Sequence, residues 1–264
     1  MIGFGAIGRS IADVFLREPV PGHELSVICV RPHQVAEARD ILPASTKVTT
    51  SAADLLEAGP TLLIEAASQA AVAEVGVRAL SAGCDLYVLS TGALADDTLR
   101  AALKAAALKS GTRIAIPAGA LAGFRALLSM RQASLTSVVY TSTKPPLAWL
   151  GTPAEAAFDL AGLTAPAVVF DGSAAEAALR FPRNANLAAA VALAGLGFER
   201  TVVRLVADPS TEENSGRIQA EGAVGRLDLT LSGRAAASNP KTSEITGMSV
   251  IAALRNGAGP IVFV

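Results

Sequence analysis

The sequence predicts an α/β fold, in which an N-terminal doubly wound parallel sheet is followed by a second, α+β domain. Three closely spaced glycines open the chain directly ahead of a helical apolar pattern. Strand-like and helix-like segments then alternate up to about residue 120, and beyond that point strands and helices mix. Strict alternation is typical of parallel sheets, whereas mixed runs are typical of α+β domains.

The first element is a glycine-rich turn. Gly3, Gly5 and Gly8 fit the pattern G-x-G-x-x-G, and apolar residues recur at helical spacing directly after it. The first glycine of such a turn permits the bend from strand to helix, the second lets a pyrophosphate approach the backbone, and the third lets helix and strand pack closely. Free N–H groups at the helix start attract phosphate. The turn therefore predicts a Rossmann-type dinucleotide site at Gly3, Gly5, Ala6, Ile7 and Gly8, with a purely structural turn as the alternative.

The first half of the chain continues as alternating elements. Strand-like segments lie at 24–30, 61–68, 85–90 and 112–119, and helical segments lie around 69–82 and 96–109. Only Met1 and Ile2 precede the first glycine, whereas strands commonly have about five or six residues. Either the first strand is short, or further residues precede Met1.

The second half changes character. We expect strands at 137–143, 201–208, 216–225 and 226–233, and helices at 153–162, 173–180 and 185–197. Asn239 can cap a helix and Pro240 suits its first position, so a final helix is expected from there. The expected division is a dinucleotide-binding domain over 1–120 and a substrate and dimerisation domain over 121–238, with a helix over 239–264 packing back on the first domain.

Composition excludes several classes of protein. The chain is 51% hydrophobic, 17% charged and carries a net charge of −1, which argues against a broad basic face for nucleic acid. No apolar run reaches the roughly 18 residues that span a bilayer. Cys29 and Cys84 lie in apolar segments without metal-ligand spacing, so we expect buried free thiols and no metal. With no signal-peptide pattern, a soluble cytoplasmic protein is expected.

The residue after the second strand bears on cofactor choice. Sites selective for NAD place an acid there to hold the ribose 2′-hydroxyl, whereas an arginine favours a 2′-phosphate. Arg31 occupies this place, and no acid lies at 25–36. NADP should therefore be accepted, unless Arg31 is simply a solvent-exposed loop residue.

Small residues follow the next strands. Ala67 and Ser68 end the strand over 61–68, at the carboxyl edge where ligands bind in such sheets. A nicotinamide ring could lie close to the backbone there, although ordinary helix capping is the alternative. The small-residue run at 117–123 could likewise approach a flat ligand or serve as a domain hinge.

The second half carries candidate carboxylate contacts. Lys144 ends a strand, and two polar segments, 181–186 and 239–243, lie at expected helix starts. Cations and free N–H groups at helix starts bind carboxylates, although each could equally be a cap or a solvated charge. Together they predict a substrate site that includes Lys144, Arg183, Asn184, Lys241 and Thr242.

A series of motifs in a fixed order resembles the L-aspartate dehydrogenase family over nearly the whole chain. FPRNAN and NPKTS are more specific than the glycine pattern. The matching segments are GFGAIG (3–8), VLSTGAL (88–94), GALAG (119–123), KPP (144–146), AWLGTPAEAAFDL (148–160), FDGSAAEA (170–177), FPRNANLAAAVALAGLGFERT (181–201), ADP (207–209) and NPKTS (239–243).

The resemblance implies a homodimer that oxidises a small dicarboxylic amino acid, L-aspartate, to iminoaspartate with NAD or NADP. Hydrolysis would then give oxaloacetate and ammonia, and iminoaspartate released intact could feed NAD biosynthesis. It also implies cofactor contacts at Ala120 and Asn186.

One position departs from the family, which has a histidine in an Asn-x-His stretch, thought to act as general base. The chain has Asn214-Ser215-Gly216, and its two histidines, His23 and His33, lie in the first domain. We expect either a void beside Gly216, into which Gly216→His would restore turnover by roughly 10²–10⁴, or a turn with positive φ. Three hypotheses stay open: an aspartate dehydrogenase, a cofactor-binding protein without turnover, and a dehydrogenase for another small acid with Lys144 as base.

Overall fold

The structure is a computed structural model of the 264-residue chain, and it describes residues 1–182, 184–233, 235–236, 239–243 and 245–263. The chain divides into two compact units. Met1–Pro117 and Thr246–Val264 form the first unit, and Ala118–Ile245 forms the second. Among the described residues, no helix is long and apolar enough to cross a membrane.

The first unit is built on parallel strands. They are β1 (Val27–Cys29), β2 (Lys47–Thr49), β3 (Leu62–Glu65), β4 (Asp85–Val88) and β5 (Ile114–Ala115). Ile2 forms parallel bridges to both Cys29 and Glu65, so it joins β1 and β2 to β3, β4 and β5. The order β2-β1-Ile2-β3-β4-β5 reverses direction beside Ile2, as in doubly wound nucleotide-binding sheets. The expected fold class is confirmed.

The residues that lead into the glycine turn are paired with the strands on both sides. The Ile2 N–H donates to Ile64 O at 2.9 Å and the Gly3 N–H donates to Cys29 O at 2.9 Å. In return, Ala66 N–H donates to Ile2 O at 2.9 Å. Ile2 therefore bonds to the β3 side and Gly3 to the β1 side, so together they join the two halves of the sheet.

Helices cover this sheet, and serine or aspartate side chains begin three of them. The first N–H groups of α3 (Ala52–Glu57), α4 (Gln69–Ser81) and α5 (Asp97–Ser110) donate hydrogen bonds to the side chains of Ser51, Ser68 and Asp96. The helices of the unit are α1 (Ala6–Arg17), α2 (Val35–Ile41), α3 (Ala52–Glu57), α4 (Gln69–Ser81), α5 (Asp97–Ser110) and α10 (Ile245–Ala258).

The C-terminal helix α10 belongs to the core of the first unit. Val250, Ile251 and Leu254 are buried in the same cluster as Phe4 and Ile11. Its expected start at Asn239 and Pro240 is wrong. Residues Asn239–Ser243 form strand β12, which pairs with β11 (Ala235–Ala236), so backbone pairing prevails over a local capping pattern.

The second unit is a five-stranded mixed sheet in the order β10-β9-β6-β8-β7. The central strand β6 runs parallel to β8 and antiparallel to β9. Its strands are β6 (Leu135–Lys144), β7 (Ala167–Ser173), β8 (Val202–Ala207), β9 (Asn214–Gly222) and β10 (Gly225–Gly233). Its helices are α6 (Phe124–Gln132), α7 (Pro153–Ala157), α8 (Ala174–Arg180) and α9 (Asn186–Ala194).

One face of this sheet is buried and the other is open. Val138, Tyr140 and Ser142 alternate along the buried face of β6, beneath α6 and the alanine-rich helix α9. Charged side chains on the other face form ion pairs, including Arg217 with Asp228. The helix expected over 153–162 ends at Ala157, because Phe158 is already extended.

Candidate functional site

The glycine turn leaves room only where a ligand would need it. A Cβ on Gly3, whose φ is +101°, would lie 2.4 Å from Ala66 O, and one on Gly8 would lie 2.2 Å from Gly3 O. A Cβ on Gly5 would meet no atom within 4 Å. Gly3 and Gly8 are therefore required by close backbone packing, whereas the space above Gly5 is open.

This arrangement fits a pyrophosphate. Helix α1 starts directly after Gly5, and among the described residues no side chain caps its N-terminus, so its first N–H groups can bind an anion. Ala6 and Ile7 form the first turn of α1 and supply such N–H groups. The residues present thus match the three physical roles of a dinucleotide-binding glycine turn.

A buried carboxylate organises the adjacent edge of the sheet. Glu65 ends β3 and is fully buried. Its oxygens accept hydrogen bonds from the backbone N–H groups of Ala67, Ser68 and Ser90 and from the Ser90 hydroxyl. Burial raises the pKa of Glu65, and these donors lower it in part. Ala67 and Ser68 therefore lie at the expected edge, in a loop fixed by a side chain that the sequence analysis gave no role.

Arg31 lies two residues past β1, and its side chain is exposed. The sequence analysis missed a charged pair nearby: Arg9 of α1 forms an ion pair with Glu37 of α2. Arg9 also donates to Phe4 O, which accepts a second hydrogen bond from Gln34. The first acid after the strand thus lies just beyond the interval 25–36 and is held by an arginine of the glycine-turn helix.

In the second unit, Lys144 ends the central strand on the side of Tyr140 and Ser142. Its Nζ lies 5.6 Å from the centroid of the Trp149 ring, a cation–π contact. Trp149 is fully buried, and its indole N–H donates to Val206 O at 3.2 Å. The Lys144 side chain therefore lies at the end of strand β6, in contact with the buried Trp149 ring.

Gly216 lies inside strand β9, opposite Ser142 of β6 and Leu231 of β10. A Cβ there would lie 2.9 Å from Leu121 Cδ1 and 3.4 Å from the Tyr140 hydroxyl oxygen. The expected void is wrong, since these two side chains fill the space. The alternative of a turn with positive φ is also wrong, because Gly216 is paired in the sheet and its φ is not positive.

Tyr140 does not replace a histidine as base. It is 1% exposed, and burial raises its pKa to about 12, while a hydrogen bond with Ser142 lowers it in part. A phenol with this pKa stays protonated near neutral pH. Tyr140 is therefore not a ready proton acceptor beside Gly216.

The segment 119–123 meets the start of helix α9. A Cβ on Gly119 would lie 3.2 Å from Leu187 Cδ2, and Leu187 directly follows Asn186. Ala120 lies between Gly119 and Leu121, which reaches Gly216. The structure thus brings the segments that carry Ala120, Asn186 and Gly216 into one neighbourhood of the second unit.

The other expected carboxylate contacts lie in different kinds of structure. The backbone N–H of Asn184 donates to Phe181 O at 2.8 Å, in the turn before α9. Lys241 and Thr242 lie in strand β12, not at a helix start. Arg183 lies outside the described residues.

Two surface depressions of the first unit lie elsewhere. Both are lined by His23, Glu24 and Leu25, at the amino ends of the strands. Ligands of open parallel sheets bind at the carboxyl ends. These depressions therefore lie at the edge of the sheet opposite to the glycine turn.

Comparisons with known proteins place both units in one family. A family model described as "Aspartate dehydrogenase, C-terminal" matches residues 126–257, and one described as "Homoserine dehydrogenase, NAD binding domain" matches residues 3–117. The L-aspartate dehydrogenase of Cupriavidus necator is 43% identical over 98% of this chain and 96% of that protein. The chain belongs to the aspartate dehydrogenase family. A relative from Pseudomonas aeruginosa is also 43% identical, over 99% of this chain and 97% of its own.

Solved structures agree with this family. The crystal structure of aspartate dehydrogenase from Thermotoga maritima superposes with a TM-score of 0.74 at 25% identity, covering 100% of this chain and 97% of that chain. A hyperthermophilic archaeal homoserine dehydrogenase in complex with NADPH, 12% identical with a TM-score of 0.58, shares the fold. The resemblance noted in the sequence is confirmed. The chain is an oxidoreductase of the aspartate dehydrogenase family, and its cofactor is NAD or NADP.

The open space above Gly5 yields a first prediction. Gly5→Val should leave folding nearly unchanged, because its Cβ meets nothing within 4 Å, but the side chain should block the pyrophosphate. We expect NADH binding, measured by fluorescence titration, to weaken by about 100-fold or more, with an unchanged melting temperature. Gly8→Ala is the matched control, since it should lower the melting temperature through its clash with Gly3 O. Unchanged affinity in Gly5→Val would place the cofactor elsewhere.

The packing at Gly216 yields a second prediction. Gly216→His alone should not restore a base, because its side chain must displace Leu121 and Tyr140. We expect a loss of about 1–3 kcal/mol in the free energy of unfolding and no gain in aspartate turnover. The double variant Leu121→Ala/Gly216→His should recover stability relative to Gly216→His. A stable single variant with higher turnover would contradict the packing.

Proposed function

We propose that this protein oxidises L-aspartate to iminoaspartate, with transfer of a hydride to NAD or NADP. The proposal rests on relatives named L-aspartate dehydrogenase that are 40–43% identical across 97–99% of the chain, so the likeness includes both units. Hydrolysis of the imine would give oxaloacetate and ammonia, and imine released intact would be available for NAD biosynthesis.

Each unit has a distinct part in this proposal. In the first unit, the N–H groups behind Gly5 would hold the pyrophosphate, and Ala67 and Ser68 would lie beside the nicotinamide. When bound, the cofactor supplies the hydride acceptor, and the protein supplies orientation. Ala120 and Asn186 of the second unit are further proposed cofactor contacts.

The substrate carries two carboxylates, which require cationic or N–H partners. Lys144 is the described lysine best placed for one of them, because Trp149 and the end of β6 restrain it. We propose Arg183, Asn184, Lys241 and Thr242 as the remaining contacts, from their sequence positions. A dicarboxylic amino acid satisfies this set better than a monocarboxylic one.

The proposed reaction needs a group that accepts a proton from the substrate nitrogen. Loss of a hydride from the amine carbon must be accompanied by loss of a proton from nitrogen, and Gly216 offers no side chain for it. Lys144 is our candidate for this base only where other groups hold the carboxylates, because a lysine paired with a carboxylate stays protonated. The filled space beside Gly216 also supports a second function, a homologue that binds NAD(P) but turns over aspartate slowly or not at all. A dehydrogenase for another small amino or hydroxy acid, with Lys144 as base, is the third candidate.

We further propose a cytoplasmic homodimer. The two free, buried cysteines suit a reducing compartment. The exposed face of the five-stranded sheet, with Arg217 and Asp228, offers a surface that a second copy could cover. Light scattering in solution would measure the mass of the assembly.

Turnover assays separate the three functions. We expect slow reduction of NAD or NADP with L-aspartate, and the reverse reaction with oxaloacetate and ammonia, at rates roughly 10²–10⁴ below those of relatives that have the histidine. Lys144→Ala should remove the remaining activity. Binding of NADH without turnover of any amino or hydroxy acid in a panel would favour the binding protein. Faster turnover of another acid would overturn aspartate as substrate.

Cofactor preference gives the next prediction. We expect NADP to bind at least as well as NAD, because Arg31 offers an exposed positive charge where an acid would repel a 2′-phosphate. Arg31→Asp should reverse the order of the two dissociation constants, measured by titration with NADPH and NADH. Arg39→Asp, which changes an exposed arginine farther along the chain, is the control for overall charge. An unchanged preference would show that Arg31 does not contact the cofactor.

A further inference from the structure

The side chain of Glu65 is a buried carboxyl group that the proposed reaction does not use. It ends strand β3 and has no exposed surface. Its Oε1 accepts the N–H groups of Ala67 and Ser68 at 2.8 Å each and the Ser90 hydroxyl at 2.9 Å. Its Oε2 accepts the Ser90 N–H at 2.9 Å. One carboxylate therefore receives four hydrogen bonds.

These donors belong to two different loops. Ala67 and Ser68 follow β3, and Ser90 follows β4, the next strand of the sheet. The backbone adds a further link, because Leu89 N–H donates to Glu65 O at 3.3 Å. Glu65 thus fixes the spacing between two neighbouring loops at the carboxyl edge of the sheet.

The first of these loops lies against the glycine turn. A Cβ on Gly3 would lie 2.4 Å from Ala66 O and 2.9 Å from the Cα of Ala67. A shift of this loop by less than an ångström would therefore move the turn or open a gap beside it. Through Ala67, the position of Glu65 is coupled to the backbone that receives the pyrophosphate.

Stability alone would not require a carboxylate here. Three of the four donors are backbone N–H groups, which can only donate and therefore favour the ionised form. Burying a charge is costly even when donors surround it. The residue paired with Glu65 across β3 and β4 is Val88, which is equally buried and apolar. A carboxylate at this register is explained by the loops it holds.

We propose that Glu65 is the positioning residue of the dinucleotide site, holding residues 66–68 and Ser90 in the arrangement that receives the nicotinamide half of the cofactor. This inference rests on the proposed cofactor site at the glycine turn. Glu65 acts through the loops and does not touch the reacting atoms.

The test is the isosteric variant Glu65→Gln. An amide keeps one acceptor oxygen but places an NH₂ group against N–H donors, so at least one of the four hydrogen bonds is lost and replaced by a repulsive contact between donors. We expect the dissociation constants for NADH and NADPH, measured by fluorescence titration, to rise about tenfold. In the cofactor-free protein, the amide hydrogens of Ala67, Ser68 and Ser90 should exchange faster than in the parent.

Val88→Ala is the matched control, because it weakens the same strand pair without removing any of the four hydrogen bonds. It should lower the melting temperature while leaving both dissociation constants within about twofold of the parent. If Glu65→Gln does not fold, Ser90→Ala removes one donor, and its dissociation constants should rise about threefold.

Parent-like affinity in a folded Glu65→Gln variant, or in Ser90→Ala, would overturn the positioning role. So would affinity losses of equal size in Glu65→Gln and Val88→Ala. These outcomes are distinct from a failure of the proposed function, in which the parent protein would bind NADH but would not oxidise aspartate.

Discussion

The close contact between Gly3 and Ala66 is the constraint on which the first unit depends. It occurs where the strand order reverses, and there the backbone passes so near the next loop that no side chain fits. Gly8 meets Gly3 with equal closeness, so strand, turn and helix are fixed relative to one another. The resulting geometry leaves only Gly5 open. The close contacts at Gly3 and Gly8 involve backbone atoms, so the shape of the turn follows from the pairing of Ile2 and Gly3 in the sheet.

Much of this could be predicted from the sequence, because the signals are local. Glycine spacing and the alternation of apolar segments place α1, β3, β4 and α5, since each depends on a periodic pattern within about 15 residues. Strand β2 was missed because its three residues carry little periodicity. Strand β7 was missed although it has seven residues, because its apolar run ends at Phe170 and the polar residues Asp171–Ser173 follow. The helix expected at Asn239 failed for a different reason, since its capping residues are paired in a strand.

The candidate site was harder to predict where it depends on contacts distant in sequence. The resemblance identifies Gly216 as unusual, but only the structure shows Leu121 and Tyr140 filling the space beside it, from positions about 75 to 95 residues earlier. The glycine at position 216 and the side chains of Leu121 and Tyr140 therefore fit together, and a larger residue at 216 would require both neighbours to move. Glu65 is unusual in the sequence because it ends an otherwise apolar strand, but the sequence does not show that Ser90 donates two hydrogen bonds to it.

Helix α10 gives the first unit an unusual assembly order. Val250 and Leu254 complete a core that begins with Phe4 and Ile11, so residues from both ends of the described chain must meet before that core is closed. During synthesis on the ribosome, the intervening second unit emerges before α10 does. Until α10 is synthesised, the apolar surface that it covers around Phe4 and Ile11 stays exposed to solvent. Such exposure slows folding and favours binding by chaperones.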